Sequence, residues 1–340
     1  MDPFATRPLG RTGVQLCPLG FGGAPIGELY EKLTEDQVET TLATAYEAGI
    51  RYYDTAPWYG HGLSEHRVGH LLRQQNRDDF VLSTKVGRVY SAPKDPRGLD
   101  TGPWAGGLPF ELHFDYGYDA VMRSWEDSLQ RLSLNRVDLL LIHDLDFGYH
   151  ETEEGVAARF GELENGGWAA LQKLKEAGSI SGIGAGINAL GMIPRFLERF
   201  DMDFFLVAMP YTLLNQEILE TEFPACADRG VGIVIGAPYA SGILATGVRD
   251  GAKYNYETAG HDIVVRVRAI ESVCDAHGVS LQAAALQFPF GHDSVAAIVP
   301  GAILPEQVSA NVSVMRHEIP TGFWDDLKAE GLIRGDAPTP

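Results

Sequence analysis

The stretch R-Y-Y-D-T-A-P-W-Y-G-H-G-L-S-E, Arg51 to Glu65, changes character twice within fifteen residues. Arg51 to Asp54 is short and β-prone and ends on a carboxylate. Pro57, Gly60 and Gly62 then break any regular pattern, and an amphipathic run begins at Ser64 and continues to Leu72. This is a strand, a turn and a helix, the repeating unit of a parallel α/β protein. Outward from it the same alternation recurs. Further candidate strands are Leu16 to Gly20, Phe80 to Lys85, Val137 to His143, Ser181 to Gly186, Phe204 to Ala208, Val231 to Ile235 and Ala296 to Pro300. With Arg51 to Asp54 they make eight, which predicts a (β/α)8 barrel.

Helix signals fill the intervals. Thr34 is placed to cap a helix, with Gln37 three residues on and Val38, Leu42, Ala43 and Ala45 following before Gly49. Tyr118 to Leu132, Trp168 to Ala177 before Gly178, Met192 to Phe200 and Ile263 to His277 share the helical period. No linker, repeat or composition shift divides the chain, so one domain over residues 1–340 is the simplest organisation. Three connections are long: Val86 to Gly117, Asp144 to Gly166 and Gly236 to Asp262. Each follows a strand, so each is expected on the C-terminal face, where barrel enzymes build their sites.

The composition excludes several classes of function. The 340 residues are 45% hydrophobic and 21% charged, as in a globular protein, and the net charge of −19 repels nucleic acid and anionic membrane surfaces. Small molecules are the expected partners. Met1 to Val14 lacks the basic-then-apolar pattern of a secretory signal and no apolar run is long enough to span a bilayer, so a cytoplasmic location is expected. Cys17, Cys226 and Cys274 are widely spaced and odd in number, which predicts reduced, buried thiols.

Chemistry is concentrated at strand ends. Asp54 closes the second candidate strand, Tyr59 follows five residues later, Lys85 closes the third and His143 the fourth. Taken singly, each has an ordinary explanation as a turn cap, a loop ring, a solvated ammonium or a histidine bonded to a carbonyl. Their shared position on three successive strands points instead to one site. There a nearby Lys85 is expected to favour the ionised Tyr59 phenol, Asp54 to hold Lys85, and a neutral His143 to bond a substrate oxygen. Such a group moves a proton on a carbonyl or alcohol oxygen.

D-T-A-P-W-Y-G-H-G-L-S-E (Asp54 to Glu65), S-T-K-V-G (Ser83 to Gly87) and D-L-L-L-I-H-D (Asp138 to Asp144) together resemble the aldo-keto reductases. The likeness runs from P-L-G-R-T-G (Pro8 to Gly13) and L-G-F-G-G-A-P-I-G (Leu19 to Gly27) to V-P-G-A (Val299 to Ala302) and F-W-D-D-L-K-A-E-G-L-I (Phe323 to Ile333). It implies a barrel that binds NAD(P) without a Rossmann fold and exchanges hydride with a carbonyl or alcohol carbon, with Tyr59 as acid in reduction and base in oxidation. The closing segment, H-D-L-D and G-A-G-I-N look closest to the branch of aldose 1-dehydrogenases acting on L-fucose, L-galactose or D-arabinose, with pyridoxal 4-dehydrogenase beside it.

G-A-G-I-N-A (Gly184 to Ala189) also fits G-x-G-x-x-A, with Asp203 about twenty residues on. However, Asp203 precedes the next apolar run, whereas a ribose-binding acid ends its strand. In the family pattern the cofactor lies along Gly22 and Gly23, Asn188, the turn Gly236, Ala237, Pro238, Ser241, Gly242 and Leu244, and the segment Pro300, Gly301, Ile303, Gln307 and Asn311. Asn188 would bond the nicotinamide carboxamide, the turn would cross the pyrophosphate, and Gln307 and Asn311 would meet adenine. The family's strand-six glutamine and nicotinamide-stacking aromatic correspond here to Ala208 and Gly236. Ile303 stands where many NADP-preferring relatives carry Lys or Arg, so NAD is expected, with NADP possible.

Trp58, His113, Asp144 and Tyr149 are candidate substrate contacts, since rings cover sugar C–H faces and polar groups bind hydroxyls. No metal is expected, because neighbours in H-D-L-D point to opposite faces of a strand. The reaction expected first is NAD-linked oxidation of an aldose hemiacetal to a lactone. Oxidation of pyridoxal to 4-pyridoxolactone is the alternative, and a cofactor-sensing protein without turnover is the alternative of another class.

Overall fold

The computed structural model describes residues 1–340. Its central sheet has eight parallel strands: β1 (Phe21–Gly22), β2 (Tyr52–Asp54), β3 (Val81–Val86), β4 (Leu139–His143), β5 (Gly182–Ile187), β6 (Phe204–Ala208), β7 (Gly232–Gly236) and β8 (Val295–Val299), each paired with the next in chain order. The first and last also meet. Gly20 N donates to Ile298 O at 2.9 Å and Gly22 N to Pro300 O at 3.0 Å, with parallel bridges Leu19 to Ile298 and Gly22 to Gly301. The ring closes into the expected (β/α)8 barrel.

The strands are apolar throughout because both of their faces are buried. Leu140, Ile142, Phe205, Val207, Ile233 and Ile235 turn outward into the core shared with the helices. Leu139, Leu141, Phe204, Leu206 and Val234 turn inward and fill the lumen with Tyr52 and Val299. Phe204 fits because Gly184 faces it: a Cβ on Gly184 would lie 2.6 Å from the ring. Below them a two-stranded hairpin, Arg7–Pro8 with Gln15–Leu16, adds Leu9 and Leu16 to the same inner core and seals the N-terminal end.

The inward parity positions the site. Tyr52 and Asp54, Ser83 and Lys85, and Leu139, Leu141 and His143 are the alternate residues of β2, β3 and β4, so the last inward position of each strand carries a polar group. The surrounding helices include α1 (Glu35–Glu47), α2 (Leu63–Leu72), α3 (Tyr118–Leu132), α4 (Trp168–Glu176), α5 (Met192–Arg199), α6 (Glu222–Asp228), α7 (Leu281–Gln287) and α8 (Pro305–Arg316). Thr34 caps α1 by accepting from Gln37 N at 3.2 Å. Helices His261–His277 and Thr321–Ala329 pack on each other outside this ring.

Two expectations need correction. The first barrel strand, Phe21–Gly22, lies later than the expected Leu16 to Gly20: Leu16 belongs to the bottom hairpin, while Leu19 and Gly20 already bond to Ile298 across the seam. The long connections are also not plain loops. Val86 to Gly117 carries the hairpin Arg88–Ser91 with Glu111–Phe114, and Asp144 to Gly166 carries helices Phe147–His150 and Glu153–Glu162. Gly236 to Asp262 carries a turn, a short helix and the small hairpin Lys253–Tyr254 with Glu257–Thr258. The three cysteines are buried and unpaired, and no helix is long and apolar enough to cross a membrane.

Candidate active site

Lys85 is the centre of the group at the C-terminal mouth. Only 1% exposed, its Nζ donates to Asp54 Oδ2 at 2.8 Å, to Thr55 O at 2.8 Å and to Tyr59 Oη at 3.1 Å. Those three bonds use all the protons of an ammonium. Asp54 is fixed from its other oxygen by Ser83 Oγ at 2.7 Å, which in turn lies 3.1 Å from Tyr52 Oη. Tyr59 sits on the turn between β2 and α2. Its backbone is pressed against Gly27, where a Cβ would come within 2.7 Å of Tyr59 C. The His143 ring meets the Tyr59 ring edge-on, centroids 5.8 Å apart. The four residues singled out in the sequence are therefore brought together.

Their electrostatics differ from expectation at one point. Burial pushes the Tyr59 phenol well above its ordinary value, Asp54 and Asp144 push it further, and Arg88 opposes them. Lys85 does not make the phenol acidic here because burial outranks it and Asp54, 2.8 Å from the ammonium, opposes its charge. Tyr59 is thus a neutral phenol bonded to an ammonium. His143 is held well below the usual histidine range by burial first, then by Arg88 and Lys85, so its ring is neutral.

Sequence reasoning missed Arg88, which is 4% exposed and lies just beyond S-T-K-V-G. Its Nη1 is 3.0 Å from His143 Nδ1, its Nη2 donates to Asp144 Oδ2 at 2.8 Å, and its guanidinium carbon lies 4.4 Å from the Phe114 ring centroid and 4.9 Å from those of Trp58 and Tyr149. Asp144, expected to bind substrate hydroxyls, has both oxygens engaged, since Oδ1 accepts from Asn188 Nδ2 at 3.0 Å. Trp58 and Tyr149 border the group through Arg88. His113 stands on the exposed side of the hairpin, 2.7 Å from Ser91 Oγ. Trp104, carried by the long connection after β3, packs against Tyr59 with ring centroids 5.7 Å apart.

The segments expected to hold a dinucleotide lie on the neighbouring wall. Ala237, Ala240, Ser241 and Gly242 all have positive φ, at 46°, 48°, 62° and 104°, so the turn after β7 curls tightly with small side chains. Pro238 lies within it, while Leu244 is buried in the core and could offer only its backbone. Tyr239 Oη donates to Asn311 Oδ1 at 2.6 Å, joining this turn to α8. Gln307, expected at adenine, instead accepts from Ile303 N at 2.8 Å, and Gln37 Nε2 donates to Ile303 O at 2.9 Å. Gly23 N donates to Asp54 O at 2.7 Å, linking Gly22 and Gly23 to the acid/base group, and Gly22 also bridges Gly301.

This surface fits a dinucleotide: a turn of small residues in left-handed backbone, open space beside Gly242, and the start of a twelve-residue helix. At Gly236, where the aromatic is missing, a Cβ would lie 2.8 Å from Leu206 Cδ2, so a side chain there requires Leu206 to move. A ring from elsewhere reaches the region. Tyr256, in the turn of the small hairpin, is anchored by its N–H to Ser241 Oγ at 2.9 Å and is 45% exposed. The Rossmann alternative does not hold: Gly184 to Ile187 is strand, and Asp203 accepts from Lys175 Nζ at 2.7 and 2.6 Å and from Ile183 N at 2.8 Å at the opposite end of the barrel.

Residues 18–330 match the model of the aldo/keto reductase family. The chain is 40% identical to a pyridoxal 4-dehydrogenase of Microbacterium luteolum, over 96% of this chain and 97% of that protein. It is 37% identical to a D-threo-aldose 1-dehydrogenase of a Pseudomonas species, again over 96% and 97%. Among solved structures, an aldo-keto reductase of Bacillus halodurans superposes with a TM-score of 0.75 at 24% identity, over 98% of each chain, a likeness of fold. With a closed barrel and a family match across almost its entire length, the chain belongs to the aldo/keto reductase family and is an oxidoreductase.

Proposed function

We propose that this enzyme oxidises the hemiacetal carbon of a cyclic substrate to a lactone with NAD, Tyr59 carrying the proton. The observation that supports this reading most is the Lys85 ammonium held within 3.1 Å of Tyr59 Oη by two fixed acceptors, Asp54 and Thr55 O. A bound nicotinamide would supply the acceptor for the hemiacetal hydrogen, transferred as hydride. Oxidation starts from the phenolate, its proton lost to solvent and its charge steadied by Lys85; Tyr59 Oη then takes the substrate hydroxyl proton and returns to the phenol, while His143 donates a hydrogen bond to the same substrate oxygen. Gly22, Gly23, Asn188, the turn Gly236 to Leu244 and the segment Pro300 to Asn311 would hold the dinucleotide.

The raised Tyr59 phenol has a sign that can be checked. Oxidation needs the base form, whose population below the phenol's pKa grows about tenfold per pH unit. The expected result is an oxidation rate that climbs with a slope of about one on a logarithmic plot between about pH 6 and 8, while reduction shows no such rise. A flat profile in single-turnover measurements would remove Tyr59 as the base.

The preference for NAD rests on Ile303, whose backbone is held by the neutral side chains of Gln37 and Gln307, with Glu306 opening α8. A phosphate dianion gains nothing from these groups. Ile303→Arg is expected to raise kcat/KM for NADP relative to NAD by roughly tenfold or more, the effect of one charge-assisted contact. An unchanged ratio would place the 2′-position elsewhere.

An aldose such as L-fucose, L-galactose or D-arabinose is the first substrate class, its hydroxyls facing polar groups and its C–H face lying on Trp58 or Tyr149. Pyridoxal, which also closes into a hemiacetal, is the second reading, favoured by the rings of Trp58, Trp104 and Tyr149 around the mouth and by the relative of that name. Both classes assayed with NAD and NADP, following NADH at its absorbance band, decide between them. Dinucleotide binding without turnover on any of them would overturn the hemiacetal reading.

A further inference from the structure

Arg88 is the least explained charge near the reacting groups. It belongs to no strand of the barrel, yet it is buried, touches three rings and donates to two consecutive residues, His143 and Asp144. That double contact depends on a local feature of the backbone. Asp144 adopts φ of 51°, so the chain turns sharply after β4 and brings both side chains toward one guanidinium.

A guanidinium has donors and no acceptor. The His143 Nδ1 that faces it at 3.0 Å must therefore present a lone pair, and a neutral ring then carries its proton on Nε2. We propose that Arg88 is a positioning residue that makes His143 a neutral Nε2–H donor and, through Asp144, joins it to Asn188. This rests on the reading above, in which His143 bonds the substrate oxygen and Asn188 the cofactor. The chain of contacts runs from His143 Nδ1 to Arg88, from Arg88 to Asp144 Oδ2 at 2.8 Å, and from Asp144 Oδ1 to Asn188 Nδ2 at 3.0 Å. The side chains proposed for the two reactants are thus aligned by one buried ion pair.

The groups facing the imidazole can be named. Arg88 and Lys85 disfavour its protonation, Asp144 Oδ2 lies 3.4 Å from Nε2, the Tyr59 ring meets it edge-on, and Tyr116 Oη donates to the His143 carbonyl at 2.8 Å. Asp144 alone would draw a proton onto His143, but its nearer bond is to Arg88. Lysine cannot replace this arrangement, since an ammonium is a point donor and cannot span Nδ1 and Oδ2 in a planar fork.

The test uses histidine labelled with nitrogen-15 in the full-length protein, with His143→Asn to assign the signal. The wild type is expected to show His143 as the Nε2–H tautomer with no titration between about pH 5 and 8. Because Arg88→Met strands the Asp144 carboxylate and risks misfolding, the paired variant Arg88→Met/Asp144→Asn is measured beside it. In both, His143 is expected to titrate within that window or show mixed tautomers, and kcat at about pH 6 to fall at least about tenfold more than at pH 9. Arg88→Lys is expected to keep His143 neutral while losing the single tautomer.

A wild-type ring protonated at Nδ1, or a folded paired variant whose His143 signal matches the wild type across the window, overturns the proposal. The spectra need neither cofactor nor turnover, so they stand even if no hemiacetal proves to be a substrate.

Discussion

Tyr59→Phe is expected to lower turnover by about three to four orders of magnitude and to leave NAD affinity within about twofold, because the change deletes one oxygen and keeps the ring. The phenyl ring still packs against Trp104 and His143, whose centroids lie 5.7 and 5.8 Å away, so the walls of the site persist. What disappears is the hydroxyl 3.1 Å from Lys85 Nζ, the group proposed to exchange the proton. Rapid-mixing kinetics with a good substrate, alongside fluorescence titration of NADH, separate the two effects. Turnover within tenfold of the wild type would end the role given to Tyr59 in either direction.

The second large effect is expected at Lys85. Lys85→Met removes the cation that steadies the phenolate and leaves Asp54, 3% exposed, as a buried carboxylate with Ser83 Oγ as its remaining side-chain donor. Losing one partner of such a pair costs about 3–5 kcal/mol of stability, and loss of the proton-transfer environment lowers turnover by about a thousandfold. The two losses are separable. In Lys85→Met/Asp54→Asn no buried charge is stranded, so urea unfolding is expected to recover most of the stability while turnover stays low. If the paired variant regained activity with stability, Lys85 would be a structural prop and not part of the proton path.

Much of this was legible in the sequence for a physical reason. Parallel strands buried on both faces are written as continuous apolar runs, and Val137 to His143 or Phe204 to Ala208 can scarcely be anything else. The polar groups ending such runs stand out because burying Asp54, Lys85 or His143 is costly unless each has partners. The first barrel strand was misplaced because Phe21–Gly22 is two residues long and rich in neighbouring glycine, so no alternation marks it, while Leu16 carries the apolar signal of the hairpin below.

Arg88 was invisible for a different reason. It lies at the start of a connection that looks like loop, and its importance comes from Asp144 and His143, far away in the chain but adjacent in space. The same long-range pairing turns Asp144 from an expected substrate contact into a member of a buried ion pair. Ionisation of Tyr59 was misjudged because nearness to Lys85 was weighed without the desolvation that outranks it.

The closed ring also divides labour around its circumference. Asp54, Lys85 and His143 stand on β2 to β4, whereas the turn and segment proposed for the dinucleotide follow β7 and β8, with β1 as the seam between them. Mutations expected to retune cofactor choice, such as Ile303→Arg, therefore fall in a different arc from those expected to alter proton transfer. A lineage built on this scaffold can trade one nucleotide for another, or reshape the mouth for a new substrate, while the inherited acid/base core goes untouched.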